Sequence, residues 1–185
     1  MAFVYYVASS LDGFIADSQD SLDWLLEIDP TGGPDTAAFM ESVGVQVMGS
    51  TTYSWLLEHE RLLDEPQRWQ EFFGSMPTVV FSTRELALPS GADIIVARGE
   101  VRGFLERLRV LAGERDIWIV GGGELAGQFL DAGALDRIEV TYAPVLLGGG
   151  VPLLPRDVDA SRLHVREASH LGAFAHVVYD VVGSI

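Results

Sequence analysis

The stretch Asp116–Leu130, DIWIVGGGELAGQFL, decides the fold, because it joins a buried strand directly to a helix. An apolar run breaks into three consecutive glycines and then resumes with helical spacing. Glycines let a ligand approach the backbone closely, and the first N–H groups of a helix favour an anion. The pattern therefore predicts a turn that binds a nucleotide phosphate. A turn that needs glycine for packing alone is the alternative.

The same turn fits the spacing of the Rossmann fingerprint, with Gly121, Gly123 and Ala126 at the three small positions. Two features argue against a Rossmann domain. The classical motif opens its domain, whereas this turn comes late in the chain. The next strand, Arg137–Ala143, is followed by a proline, where an acidic residue would bind the ribose hydroxyls.

Composition limits the classes of function that remain. With 185 residues and 48% hydrophobic content, we expect one domain spanning residues 1–185. A net charge of −15 disfavours nucleic acid and anionic membranes as partners. The chain contains no lysine, which excludes Schiff-base chemistry and a P-loop lysine.

The chain also contains no cysteine, which excludes disulfides and thiolate catalysis and fits a cytoplasmic protein. The four histidines show no spacing typical of a metal site, so we expect no metal. The apolar run at the N-terminus is too short for a signal peptide or a membrane span.

Strand-like and helix-like segments alternate until a C-terminal hairpin. The alternation predicts an α/β fold with three α/β/α layers and a mixed, mostly parallel sheet with an antiparallel C-terminal edge. A long polar connection is expected over residues 10–34. Strands are expected at 3–9, 45–48, 78–81, 93–97, 116–121 and 137–143, with the hairpin at 163–182. Helices are expected at 35–43, 51–58, 66–73, 101–112 and after the glycine turn.

Small polar residues follow the first three strands of this pattern, in ASSLDG (8–13), MGSTTY (48–53) and VFSTR (80–84). In open α/β sheets, ligands bind beyond the carboxyl ends of the strands, where helix N-termini and hydroxyl groups converge. Each segment alone would be an ordinary cap or turn. Together with the glycine turn they predict a nucleotide site.

These segments, with SSLDGFIA (9–16), WIVGGGEL (118–125) and DRIEVTYAPVLLGGGVPLL (136–154), resemble the dihydrofolate reductase-like superfamily. The likeness is greater to the reductase domain of the riboflavin-biosynthesis deaminase–reductase and its stand-alone relatives. The resemblance covers nearly the whole chain. It implies an NADPH-binding fold that passes a hydride to a C=N bond of a pterin, a pyrimidine or a similar heterocycle.

Residue by residue, the resemblance assigns most of the cofactor site. It implies that the pyrophosphate lies on Gly49, Ser50, Thr51 and Thr52. The adenosine 2′-phosphate falls at the segment Phe81, Ser82, Thr83 and Arg84, whose guanidinium would favour NADPH over NADH. Ala8 and Ile15 match positions that flank the nicotinamide ring. The glycine turn, with Val120, Gly121, Gly122, Gly123, Glu124 and Leu125, would lie behind the pyrophosphate and the nicotinamide.

On the substrate side the resemblance offers two carboxylates. Asp35 precedes Phe39 by one helical turn, in the pattern of the acid that protonates dihydropterin, and Thr141 matches a threonine that supports that acid. Asp35 could equally be a helix cap. Asp12 could donate a proton or bind a ring N–H, or be a turn residue. Trp24 could cover the heterocycle or anchor its loop.

The chain departs from both branches of the superfamily. Met76 stands near the position of the arginine that grips the folate carboxylate, and Ala126 replaces the tyrosine beside the nicotinamide. Phe14 follows SLDG, where the riboflavin branch has a lysine or arginine for its phosphorylated substrate. The hypothesis is therefore an NADPH-dependent reductase of another heterocycle. A genuine dihydrofolate reductase or a non-catalytic nucleotide sensor are the alternatives.

The C-terminal segment FAHVVYDVV (174–182) is apolar on both faces around residues 177–182. Such a strand must be covered on both faces, which predicts a homodimer built on the C-terminal strands. The riboflavin-branch reductases imply the same. A monomer whose own helices cover the strand is the alternative.

Overall fold

A computed structural model describes residues 1–183, so the predicted domain end at residue 185 lies outside the described residues. Its strands are β1 (Phe3–Ser10), β2 (Phe14–Ala16), β3 (Val43–Gly49), β4 (Thr78–Phe81), β5 (Ile94–Ala97), β6 (Asp116–Gly121), β7 (Arg137–Ala143), β8 (Val151–Pro152), β9 (Leu163–Leu171) and β10 (Phe174–Val181). Its helices are α1 (Asp23–Leu26), α2 (Thr36–Ser42), α3 (Ser50–His59), α4 (Gln67–Phe73), α5 (Leu105–Ala112) and α6 (Gly123–Asp131). Short 3₁₀ turns cover Val101–Phe104 and Ala160–Arg162.

Eight strands form one sheet in the order β5-β4-β3-β6-β1-β7-β10-β9. The pairs from β5 to β7 are parallel, and β10 runs antiparallel to β7 and to β9. The predicted mixed sheet with an antiparallel C-terminal edge is confirmed. β2 and β8 form a separate two-stranded antiparallel sheet.

The layers follow from alternation along the central strands, because successive side chains point to opposite faces of a sheet. Val47 of β3 packs in a core with residues of α5 and α6, whereas its neighbour Met48 packs in a core with residues of α3 and α4. Val79 and Val80 of β4 divide in the same way. Helices therefore cover both faces of the sheet.

Two sequence predictions need correction. The connection predicted over residues 10–34 contains β2 and α1, which are too short to show any periodicity. The helix predicted at 101–112 begins as a 3₁₀ turn and becomes α-helical at Leu105. The predicted C-terminal hairpin is present, with β10 inside the sheet between β7 and β9, so β9 is the strand at this edge.

None of the helices within residues 1–183 has the length and apolar character to cross a membrane.

Candidate functional site

A cleft of ≈ 860 Å³ lies at the carboxyl edge of the sheet. The ends of four neighbouring strands, β4, β3, β6 and β1, contribute to its lining, as do the first turns of α3 and α6. This is the position at which open α/β sheets bind ligands. The structure brings into this cleft fifteen of the residues that the sequence assigns to a cofactor: Ala8, Ile15, Gly49, Ser50, Thr51, Thr52, Phe81, Ser82, Thr83, Val120, Gly121, Gly122, Gly123, Glu124 and Leu125.

The glycine turn brings bare backbone to the cleft. Gly121 has a φ of +145°, which favours glycine, and the Gly121–Gly122 peptide bond is cis. A Cβ on Gly123 would lie 2.4 Å from the carbonyl oxygen of Pro152, so a side chain here would force the backbone of the fold to shift. A Cβ on Gly122 would meet only the Ile15 side chain, at 3.8 Å. A side chain at Gly122 would therefore enter the cleft without disturbing the core.

Two helices begin at the cleft without a side-chain cap. Gly49 is the N-cap residue of α3 and Gly122 that of α6, and neither supplies a capping hydrogen bond. The first N–H groups of an α-helix have no partner within the helix, and the helix dipole adds partial positive charge there. The two helix starts can therefore bind the oxygens of one anionic group, as a pyrophosphate presents them.

Arg84 lies beside the cleft rather than in its lining. It lines a neighbouring cavity of ≈ 410 Å³, and its Nη2 donates a hydrogen bond to Ser50 Oγ over 3.0 Å. The turn is fixed by Ser82 Oγ, which accepts from the backbone N–H of Arg84 at 2.9 Å. The guanidinium therefore sits at the rim, next to the start of α3.

The carboxylate of Glu124 binds an arginine of the fold rather than a cofactor. It accepts two hydrogen bonds of 2.9 Å from Arg156, which also binds Asp131 at 2.8 Å. Hydrogen bonding to this guanidinium lowers the pKa of Glu124. The side chain is an ion-pair partner, so the contribution of Glu124 to an anion would come from its backbone N–H in the first turn of α6.

Asp12 does not line the described cleft. Its carboxylate accepts hydrogen bonds from the Ser10 hydroxyl at 2.7 Å and from the backbone N–H groups of Leu147 and Gly148, at 3.1 Å and 2.7 Å. The Ser10 hydrogen bond, followed by the backbone bonds, lowers the pKa of Asp12. A carboxylate held ionised in this way is a poor proton donor. The geometry favours a structural role, in which these hydrogen bonds of Asp12 join the β1–β2 turn to the loop after β7. We call this set of contacts the clasp.

Asp35 also lies outside the described lining of the cleft, and it caps α2 by accepting from Ala38 N–H at 3.0 Å. Its charge nevertheless acts on Tyr6 of β1, whose pKa is raised first by burial and then by the charges of Glu139 and Asp35. Tyr6 also lies edge-on to His176, with the two ring centroids 6.1 Å apart. Among the described residues, Asp35 hydrogen bonds to Ala38 and Thr141 to His176, so the structure does not join the two predicted neighbours by a hydrogen bond.

The buried Thr141 has its hydrogen-bond partner on β10, since its Oγ1 lies 3.1 Å from Nδ1 of His176. Phe39 packs against the rings of Tyr6 and Trp118, with centroids 4.3 Å and 5.4 Å away. Trp24 is half-buried in α1, and its Nε1 has no hydrogen-bond partner within residues 1–183. Neither Phe39 nor Trp24 lines the cleft as the structure describes it.

Sequence reasoning misses several apolar residues that do line the cleft, among them Leu22, Leu25, Trp55 and Trp118. Alternation along β6 could have identified Trp118, because its side chain lies on the same face of the strand as Val120. The buried Ile117 and Ile119 lie on the other face. The indole N–H of Trp118 donates to the carbonyl of Tyr6 at 3.0 Å, which fixes the ring. No periodic pattern marks the two leucines.

Comparison with known proteins agrees with this architecture. Residues 3–178 match the RibD C-terminal domain family. The uncharacterized protein YwjB of Bacillus subtilis is 30% identical over 180 residues, which are 95% of each chain. A Shewanella sp. PV-4 crystal structure, provisionally named a riboflavin biosynthesis protein, has 30% identity and a TM-score of 0.77, with 98% of this chain and 99% of that one covered.

A bifunctional deaminase/reductase of Thermotoga maritima, diaminohydroxyphosphoribosylaminopyrimidine deaminase/5-amino-6-(5-phosphoribosylamino)uracil reductase, has the same fold. It superposes with a TM-score of 0.67 at 18% identity over 97% of this chain. The match spans only 56% of the Thermotoga chain.

Proposed function

The chain belongs to the RibD C-terminal domain family, and we propose that it is an NADPH-dependent reductase that transfers a hydride to a C=N bond of a pterin, a pyrimidine or a similar heterocycle. The observation that carries the proposal is the convergence of three glycine- or hydroxyl-rich strand ends on one cleft of ≈ 860 Å³. The reductase activity in the name of the Thermotoga protein, which shares the fold, supports the same class of reaction.

The residues of the cleft fit the anionic parts of a dinucleotide. The uncapped starts of α3 and α6 supply N–H groups for the pyrophosphate, and Gly122 leaves room that a side chain would fill. Ser82, Thr83 and the Arg84 guanidinium would hold the 2′-phosphate, since Arg84 already reaches Ser50 at the start of α3. On a chain of net charge −15, these local donors have to overcome an unfavourable overall field.

When bound, NADPH supplies the hydride. The chain would orient the cofactor and the substrate and exclude water from the reacting atoms. Ala8 and Ile15 line the cleft beside the glycine turn, so they would flank the ring and keep water from the reacting carbon. Trp118, fixed by its hydrogen bond to Tyr6, would form an apolar wall for a planar substrate.

A test measures cofactor binding and turnover separately. Titration of the protein with NADPH and NADH should give a lower Kd for NADPH. Oxidation of NADPH, followed by absorbance, should then depend on a heterocycle from a panel that includes dihydrofolate, reduced and oxidised pterins and aminopyrimidines. Failure to bind NADPH would refute the proposal. Tight binding without turnover on any member of the panel would favour a nucleotide sensor instead.

A further inference from the structure

The order of the strands sets the distance between the two ends of the cleft. β4, with Ser82 and Thr83, lies three strand spacings from β1, which is about 14 Å at roughly 4.8 Å per spacing. We call the part near β4 the phosphate end, because Arg84 and the start of α3 meet there. We call the other part the β1 end, and define it by the lining residues Ile15, Asp20, Leu22, Leu25 and Trp118.

The β1 end is apolar except for one acid. Four of its five defining side chains are aliphatic or aromatic, and the fifth is the carboxylate of Asp20. No arginine is among the described residues that line the cleft. A phosphate or carboxylate bound at this end would lose water without gaining a cation, and would face Asp20.

The part of the sequence that forms the β1 end is also rich in negative charge. Residues 1–60 contain ten aspartates and glutamates and none of the arginines. This part of the chain forms β1, β2, α1, α2, β3 and α3, which include every element that defines the β1 end except β6. Asp20 is the one of these acids that lines the cleft, and no arginine of the described lining accompanies it, so the β1 end disfavours anions.

The arginines nearest in sequence to these elements are already paired with acids. Arg61 lies within 4.0 Å of the carboxylates of Asp64 and Glu65, at 3.5 Å and 3.9 Å. Arg68 binds Glu60 at 2.6 Å and also donates to its backbone carbonyl. These two arginines therefore neutralise acids of the fold rather than offering charge to a ligand at the β1 end.

We infer that the substrate carries no phosphate or carboxylate. It is a planar heterocycle, neutral or positively charged, that binds between Trp118 and the leucines of the β1 end. The inference rests on the proposed function, because it takes the phosphate end to be filled by the cofactor. It separates this chain from reductases whose substrates bear a phosphoribosyl group, which need a cation at the substrate.

The experiment compares ligands that differ only in an anionic group. Two pairs are suitable: 6-methylpterin with 6-carboxypterin, and uridine with uridine 5′-monophosphate. Binding is measured by calorimetry and by tryptophan fluorescence on protein saturated with NADP⁺, so that an anion cannot occupy the phosphate end. We expect the uncharged member of each pair to bind about tenfold more tightly or better, and raising KCl from about 0.05 to about 0.5 M to narrow that gap.

A matched pair of variants tests the source of the preference. Asp20 has a positive φ of 60°, which asparagine tolerates well, so Asp20→Asn removes the charge without straining the backbone. This variant should bind the anionic member about threefold more tightly. Glu114→Gln changes the chain by the same charge at the amino end of β6, away from the cleft, and should leave both affinities unchanged.

The inference is overturned if 6-carboxypterin or uridine 5′-monophosphate binds as tightly as its uncharged partner, or if neither member of either pair binds. Failure of the proposed function has a different signature, namely no binding of NADP⁺ or NADPH. The pairs can then be compared on the free protein, where a preference for the uncharged member would still support the charge argument.

Discussion

Two adjacent glycines of the glycine turn, Gly122 and Gly123, should respond in opposite ways to an added side chain. The N-cap Gly122 has φ −80° and ψ −176°, which any residue adopts, and its Cβ would meet only Ile15 Cδ1 at 3.8 Å. Gly122→Val should therefore fold with a stability within about 1 kcal/mol of the wild type. Its side chain would stand in the cleft and hold a pyrophosphate away from the first turn of α6.

The cost to cofactor binding follows from the hydrogen bonds lost. A bond from an N–H group to a charged oxygen contributes about 1.5–3 kcal/mol, and one or two such bonds at the start of α6 are at stake. A loss of about 1.5–6 kcal/mol, the range for one to two such bonds, raises the Kd for NADPH by at least roughly tenfold. Isothermal titration calorimetry measures the Kd, and thermal denaturation of the same samples measures the stability.

Gly123→Ala is the matched control, since the same turn is changed one residue later. Its Cβ would lie 2.4 Å from the Pro152 carbonyl oxygen and 2.5 Å from that of Leu153. Forcing the backbone apart costs about 1–3 kcal/mol, which lowers the Tm of a chain of this length by about 2–4 °C per kcal/mol. The reasoning is refuted if Gly122→Val binds NADPH like the wild type, or if Gly123→Ala is as stable as Gly122→Val.

Three further outcomes follow from single features. Arg84→Ala should raise the Kd for NADPH about ten- to a hundredfold in fluorescence titrations and leave the Kd for NADH nearly unchanged. The control Arg115→Ala should change neither Kd. Equal losses of affinity for both cofactors in Arg84→Ala would show that Arg84 does not bind the 2′-phosphate. Asp12→Asn should lower the Tm at neutral pH. Because folding depresses the pKa of Asp12 from the ordinary 3.8, the difference between variant and wild type should shrink as pH falls below that value; a difference independent of pH would contradict the clasp. Light scattering should give twice the 20.1 kDa of one chain, with contact expected along β9, where Val165 is 61% exposed; a mass of one chain at all concentrations would exclude the dimer.

The part of the cleft that we propose for the cofactor is predictable because its signals are local. A buried strand, a glycine and a helix start follow one another within a few residues, at Met48–Ser50 and again at Val120–Gly123. Parallel pairing then brings those ends to one edge without further information. The predicted residues therefore meet in one cleft, and only Arg84 lies at its rim.

The part proposed for the substrate is harder to predict because its elements are defined by residues distant in sequence. Phe14 and Ala16 form a strand only because Pro152 and Val151 pair with them, and three residues carry no periodicity of their own. Asp35 shows the opposite difficulty. Its position before a helix fits both a cap and a catalytic acid, and the hydrogen bond to Ala38 is visible only in the structure.

Asp12 matters to the cleft although it does not line it, because it belongs to the contacts that hold Ile15 opposite the glycine turn. Its carboxylate binds the N–H groups of Leu147 and Gly148, and the carbonyl of Gly13 accepts from the N–H of Leu153 at 2.9 Å. The carbonyl of Leu153 in turn limits the side chain allowed at Gly123. The β1–β2 turn, β8 and the start of α6 are therefore fixed relative to one another. The carboxylate of Asp12 thus contributes by joining the β1–β2 turn to the loop after β7, and it does so in its ionised form, which the same hydrogen bonds stabilise.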